Sequence, residues 1–237
     1  MAKVRVESRN PDVDGKGLGF SASGFAALGL AASNALGLNL GPKQLSEIVR
    51  LGAGSAARSL AGGFSIWYAN RNGSSYAEQL APANSVHMKT IIVPIPSTIK
   101  TDNAHADAVT SPFYRARLGY IKRILPKMKR AIGRGNVQEI CQLAEVDTLN
   151  LHAITMTGDK GMVLFSPLSI KIIDEVRRLR SEGRIHVWYS LDTGPSVFVN
   201  TTSEYAARVH TRIRRIAQDA IVSDPGGPAE TTGNHLF

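Results

Sequence analysis

The run Gly17-Leu18-Gly19-Phe20-Ser21-Ala22-Ser23-Gly24 leads directly into Phe25-Ala26-Ala27-Leu28-Gly29-Leu30-Ala31-Ala32, an alanine-rich segment without proline. Three glycines let the backbone turn at positive φ and approach a neighbour closely, and the hydroxyls of Ser21 and Ser23 stand where a helix begins. Unsatisfied N–H groups and the positive end of the helix dipole make such a terminus an anion site. Two readings fit the stretch by itself. One is a phosphate cradle built from Gly17, Leu18, Gly19, Ser21, Ala22, Ser23 and Gly24. The other is a small-residue turn ahead of a buried helix.

Bulk properties bound what surrounds this loop. The 237 residues suffice for one large domain or two small ones, and 43% hydrophobic with 20% charged residues is the balance of a globular chain. No run approaches the roughly 18 apolar residues of a membrane span, and no leader pattern opens the chain. The lone cysteine, Cys141, excludes an internal disulfide framework and any multi-cysteine metal site, and its apolar context reads as core rather than nucleophile. The six histidines show no metal-ligand spacing, so no metal site is assigned. A cytoplasmic location is expected. The net charge of +9 calls for an anionic partner. The cationic runs Arg115 to Arg134 and Arg177 to Arg184 lack the interleaved aromatics of a base-stacking surface. They read as solvated helix faces, and nucleic acid is not the expected partner.

In chain order, Lys3 to Ser8 alternates polar and apolar residues and reads as a strand, followed by turn chemistry from Asn10 to Gly15. The helix after the Gly loop ends near Gly37, and Pro42 suits the first turn of a second helix reaching Leu51. A second small-residue patch, Gly52 to Ser59, precedes a strand from Phe64 to Tyr68. Asn72-Gly73 marks a tight turn, after which the chain pairs back toward Met88. Lys89 to Ile95 reads as a buried strand closed by Pro94 and Pro96, and Thr98 to Val109 as a mobile polar loop. Thr110-Ser111-Pro112 opens a helical run to Gly133 that Pro126 divides in two. Further helices are expected over Val137 to Thr155 and Pro167 to Arg180. Arg184 to Leu191 and Ser196 to Val199 read as strands joined by a sharp bend at Asp192-Thr193-Gly194-Pro195. A final amphipathic helix is expected over Glu204 to Val222, with a disordered tail over 223–237. The class is α+β, without the strict alternation of a doubly wound sheet.

Three features offer chemistry. The Gly loop would hold phosphates, and Arg58 presents a planar fork suited to carboxylate or phosphate. Asp192 is a short carboxylate fixed at a strand end beside Gly194, the kind of loop position that carries function on a rigid scaffold. Each has a plainer reading: a turn-stabilising aspartate, a surface arginine, a helix turn.

Five ordered segments carry a resemblance that joins these features. Ser8-Arg9-Asn10 with Gly17 to Leu28 resembles the phosphate loop and following helix of the diphosphomevalonate decarboxylases, in the GHMP kinase superfamily. Leu45-Ser46-Glu47-Ile48 with Gly52 to Phe64 resembles that family's most distinctive signature. Thr110-Ser111-Pro112-Phe113 with Arg117, Leu151-His152-Ala153, and Asp192-Thr193-Gly194-Pro195 recur in the family's order. The likeness runs from about Val4 to about Ile221.

The resemblance implies a two-layer GHMP kinase-like fold with a ferredoxin-like C-terminal domain. Residues 1–88 would belong to the N-terminal domain, incomplete here, and 89–222 to the C-terminal one. Family members carry further strands and a substrate-contacting lysine ahead of Val4. The implied reaction is ATP-dependent decarboxylation of a phosphorylated mevalonate in isoprenoid biosynthesis, by a homodimer away from membranes. Asp192 corresponds to the catalytic carboxylate, Arg58 to the residue near the substrate carboxylate and phosphates, and Ser55 and Ala57 to substrate contacts. Residues 17–24 correspond to the cradle for the phosphates of ATP with Mg2+. Departures from the family pattern are Lys16 and Gly19-Phe20 in the loop, where Phe20 replaces a hydroxyl, Ala53 for a signature serine, and Thr193 and Ser196 after the aspartate. They leave relatives open: phosphomevalonate decarboxylase, ATP-independent mevalonate 3,5-bisphosphate decarboxylase, mevalonate 3-kinase, or an inactive anion- or nucleic-acid-binding relative.

Overall fold

The computed structural model describes residues 4–9 and 18–233, which form two compact units. The first unit takes in Gly19–Ala83 and the stretch from Gly226, and the second Asn84–Pro225.

In the first unit, α1 (Phe20–Ala35), α2 (Pro42–Val49) and α3 (Ala56–Ala61) pack through Ala26, Leu45, Val49, Ala56 and Leu60. Small residues make this packing tight. A Cβ at Gly29 would lie 2.2 Å from Cγ1 of Val49, so α1 and α2 approach closer than any other residue permits. Helix α1 buries only a narrow stripe, Ala22, Ala26 and Ser33, while Phe25 and Leu28 are exposed. It is therefore not the fully buried helix that its composition suggests. Pro42 opens α2, and the Gly41 N–H donates to the Gln44 side chain at 3.1 Å. Ser46 ties this helix to the sheet by accepting the Ala77 N–H at 3.1 Å. Strands β1 (Phe64–Arg71) and β2 (Ser74–Ala81) form an antiparallel hairpin. Its turn has Asn72 at φ 55° and Gly73 at φ 82°, the paired positive values of the favoured two-residue hairpin.

The second unit is a four-stranded antiparallel sheet in the order β4-β5-β3-β6, covered by helices. Its strands are β3 (Met88–Val93), β4 (Val187–Ser190), β5 (Val197–Thr202) and β6 (Ile221–Ser223). The helices are α4 (Thr101–Ala108), α5 (Tyr114–Gly133), α6 (Val137–Met156), α7 (Pro167–Gly183) and α8 (Ala206–Arg214). Branched residues that point to one face of the sheet, Ile91, Val93, Val187 and Val199, meet Ile172 and Val176 of α7 and Val209 and Ile213 of α8 in one core. No helix among the described residues is long and apolar enough to cross a membrane.

Five expectations are corrected. The polar stretch 98–109 contains α4, because Ala104 and Ala108 recur one turn apart on a buried face and the Asp107 carboxylate accepts the Lys160 N–H at 2.9 Å. Pro126 does not divide α5: both Pro126 and Lys122 four residues earlier are exposed, so water can serve the carbonyl that the missing N–H leaves open. The final helix stops at Arg214, because Ile221–Ser223 pairs with the free edge of β3. The tail is ordered past Pro225: the Gly63 N–H donates to the Gly226 carbonyl at 2.8 Å and the Ala229 N–H to that of Leu60 at 3.3 Å. Gly62, at φ 63°, admits this return because a Cβ there would lie 2.0 Å from the Pro228 nitrogen. Residues 4–9 are exposed and form no strand, having no ladder partner among the described residues. Lys3, the expected turn at 10–15, Lys16, Gly17 and the end of the tail, 234–237, lie outside the described residues.

Candidate functional site

The bend between β4 and β5 is held by side chains from three directions. On α6, Thr148 and His152 stand one helical turn apart and reach the end of β4. The Thr148 hydroxyl accepts the Leu191 N–H at 3.0 Å and donates to the Leu191 carbonyl at 3.2 Å. His152 Nε2 lies 3.1 Å from the Asp192 carbonyl. At the start of α7, Ser166 and Ser169 form a reciprocal cap, and the Ser169 hydroxyl donates to the Pro195 carbonyl at 2.6 Å. The Ser196 hydroxyl accepts the Ile95 N–H at 2.8 Å and donates back to the Ile95 carbonyl at 3.2 Å. The backbone around Asp192 is thus fixed, whereas its carboxylate is exposed. A catalytic carboxylate needs this combination of a rigid mount and an open side chain.

His152 is fully buried and stacked on Phe165, with ring centroids 4.2 Å apart. A carbonyl only accepts, so Nε2 carries the proton and donates to Asp192. Its Nδ1 is buried without a hydrogen-bond partner. Burial pushes the His152 pKa below its ordinary value, while the bond to the Asp192 carbonyl and the nearby aspartate charge pull the other way. The neutral imidazole follows, because a second proton on Nδ1 would be a charge in an apolar site with nothing to accept it.

The first unit places the remaining candidates from Gly19 on around α1 and α3, and Leu18 is grouped with the second unit. Gly19 is the N-cap of α1 at φ 77°, exposed, with open space where a side chain would stand. No side chain among the described residues caps this helix. The Ser23 hydroxyl turns back to the Phe20 carbonyl at 3.1 Å, and Ser21 is exposed. Leu18 is half-buried, Ala22 is buried, and Gly24 again has open space at its Cβ position. Phe20 is the first helical residue. On α3, Ala56 and Ala57 are fully buried, Ser55 is half-buried at the N-cap, and Arg58 is exposed. Arg58 makes no ion pair with a described residue, so its guanidinium fork is uncommitted. Gly54 is needed beside them, since a Cβ there would lie 3.0 Å from the Trp67 ring. Ser55, Ala57 and Arg58 therefore share one helix start, in the same unit as residues 19–24, and Asp192 belongs to the other unit.

The segment from Thr110 to Arg117 makes packing contacts within its own unit. Thr110 and Ser111 latch α5 onto the end of α6: the Thr110 hydroxyl accepts the Asp159 N–H at 2.8 Å, and Ser111 and Thr157 share a 2.6 Å bond. Arg117 holds Asp147 at 2.5 Å and the Asn150 side chain at 2.9 Å. Cys141 is buried, and burial first, then the Glu145 charge, pushes its thiol up to about 12. It is core, as its context suggests. No group of three or more His, Cys, Asp or Glu among the described residues could hold a metal ion. The residues missed by sequence reasoning are Thr148, His152, Ser169 and Ser196 as a clamp. Of these, His152 and Ser196 stand in segments already noted for their family likeness, and Thr148 lies one helical turn before His152.

Comparison with known proteins covers both units. Residues 1–77 match the diphosphomevalonate decarboxylase-like N-terminal domain, and residues 97–225 the mevalonate 5-diphosphate decarboxylase C-terminal domain. The chain is 36% identical to a phosphomevalonate decarboxylase of Haloferax volcanii, over 96% of this chain and 71% of that protein. It is 30% identical to a diphosphomevalonate decarboxylase of Debaryomyces hansenii, over 87% of this chain. It spans only 56% of that yeast relative's length. Among solved structures, the mevalonate diphosphate decarboxylase of Enterococcus faecalis is 30% identical with a TM-score of 0.82, covering 91% of this chain and 67% of that one. A complex holding MVAPP, AMPPCP and magnesium gives 0.83 at 29% identity, covering 91% of this chain and 68% of that one.

Proposed function

From the premise that this chain belongs to the diphosphomevalonate decarboxylase family of the GHMP kinase superfamily, we propose that it serves to decarboxylate a phosphorylated mevalonate with ATP. The observation that carries this reading is the Asp192 bend: an exposed carboxylate on a backbone that the protein immobilises with its own side chains.

In this reading ATP supplies the phosphoryl group that turns the tertiary 3-hydroxyl into a leaving group. Asp192 orients that hydroxyl and takes its proton as the oxygen is phosphorylated. The C3–O bond then breaks with phosphate leaving, the C1–C2 electron pair becomes the C2=C3 double bond, and CO2 departs. Once Asp192 has passed that proton to solvent, its carboxylate stabilises the positive character at C3. Arg58 grips the substrate carboxylate or 5-phosphate with its uncommitted guanidinium, and Ser55 donates to substrate phosphate, on a helix start kept close-packed by Ala57. Gly17 to Gly24 receive the nucleotide phosphates. The open space at Gly19 and Gly24 suits close approach of phosphate oxygens, and Phe20 puts a ring beside it where a hydroxyl would donate. The described residues form no carboxylate cluster for Mg2+, which would come as the companion of the nucleotide phosphates.

A second reading concerns the substrate. The higher identity and coverage of the Haloferax phosphomevalonate decarboxylase favour mevalonate 5-phosphate over the 5-diphosphate. The test uses the full-length gene product with both substrates, and with mevalonate 3,5-bisphosphate in the absence of ATP. Release of CO2 and phosphate is expected with ATP, and Asp192→Asn should cut the rate about 10²- to 10⁴-fold. Undiminished turnover in that variant overturns the assignment.

A further inference from the structure

We propose that His152 is a positioning residue for Asp192, setting the direction of its carboxylate through the main-chain carbonyl; this rests on the functional reading above. Four side chains tie the bend, and His152 alone bonds to Asp192 itself. Thr148 fixes Leu191, Ser169 fixes Pro195, and Ser196 fastens the far side to Ile95. The Asp192 carbonyl defines the peptide plane between residues 192 and 193. With that plane held by His152 and the Leu191 backbone held by Thr148, the Cα frame from which the carboxylate projects is fixed on both sides.

The chemistry of the site singles out the imidazole. A phenylalanine or leucine would fill the same space against Phe165 with no polar atom of its own to satisfy, giving up only the donor to the Asp192 carbonyl. The histidine instead carries a buried Nδ1 with no partner, a cost that the fold accepts for a single hydrogen bond. That bond goes to the residue with the exposed carboxylate. Being neutral, the ring contributes direction without altering the charge beside Asp192. With Thr148, Ser169 and Ser196 in place, loss of the His152 donor releases one peptide plane and leaves the bend folded.

The test measures steady-state kinetics of His152→Phe and His152→Gln in the full-length gene product. Glutamine carries an amide N–H about as far from the backbone as imidazole Nε2. For His152→Phe, kcat should fall about tenfold or more with KM for the phosphorylated mevalonate within about twofold, the signature of a misaligned group rather than lost binding. His152→Gln should recover kcat to within about threefold of wild type. In an Asp192→Asn background, His152→Phe should change the residual rate by less than about twofold, because the two act as one unit. If melting shows that His152→Phe does not fold, His152→Met replaces it. Wild-type kcat in the donor-free variant, failure of glutamine to rescue, or an additive loss in the double variant each overturn the proposal. A wild-type protein that releases no CO2 from any of the three substrates overturns the functional reading and this role together.

Discussion

At the β4–β5 bend, side chains of α6 and α7 take up the carbonyls of Leu191, Asp192 and Pro195, whereas at the start of α1 no described side chain caps the helix. The first arrangement is closed before any ligand arrives. The second is open: Gly19 in the left-handed region, empty space beside it, and a serine whose hydroxyl turns back along its own helix. A group that must act on a reacting atom gains from being fixed beforehand. A cradle for phosphate oxygens gains from keeping its backbone donors for the ligand. The difference between these regions is thus one of who satisfies the backbone, the protein or what it binds.

The comparison breaks if the clamp proves dispensable. Ser169→Ala removes the donor to the Pro195 carbonyl and half of the cap that starts α7. We expect about 1–3 kcal/mol lower stability in denaturant unfolding. Its kcat should fall as well, because the Pro195 side of the bend is released. Unchanged stability would mean that water replaces the hydroxyl and that the bend is less closed than its hydrogen bonds suggest.

The open end should answer differently. Gly19→Ala meets no atom, so its cost is conformational alone, about 1–2 kcal/mol for an L-residue held at φ 77°. The loss should appear mainly as a higher KM for ATP, with the KM for the mevalonate substrate little changed. Equal effects on both would remove the contrast between the regions.

Local chemistry made much of this molecule legible. Ser166-Pro167 marks the start of α7, Asn72-Gly73 the hairpin, and the Asp-Thr-Gly-Pro run the bend that interrupts two strands. In each case the signal lies within a few residues of the structure it specifies. What was not legible depends on distant partners. Ile221–Ser223 becomes a strand only because β3 offers an edge 129 residues earlier in the chain, as Ile92 opposite Ile221 makes plain. Pro126 is tolerated because of which way its helix faces, and the tail orders because Gly62 leaves room for Pro228. The clamp is the extreme case: His152 lies 40 residues from Asp192, and Ser196 lies 101 from Ile95. No periodicity encodes such pairs.

The finest test of the contrast is pH. Among the described residues of the first unit there is no histidine, and α1 carries no titratable side chain at all. The second unit holds the buried His152, whose pKa in the folded protein lies below the value of about 6.5 it has in an unfolded chain. Below 6.5 the unfolded chain binds a proton that the folded one refuses, so ∂ΔG/∂pH is positive there. The stability from the neutral ring is fully present above 6.5 and is lost as pH falls through that value toward the folded pKa. Replacing His152 with glutamine removes this dependence. Unfolding free energies of wild type and His152→Gln, compared between about pH 7.5 and 5.5, should therefore converge on acidification. The change belongs to the bend, where Asp192 is the charged neighbour that opposes the shift. A parallel pair of pH curves would show that the imidazole takes its second proton as readily in the folded chain as in the unfolded one, and the neutral ring would lose its place in the clamp.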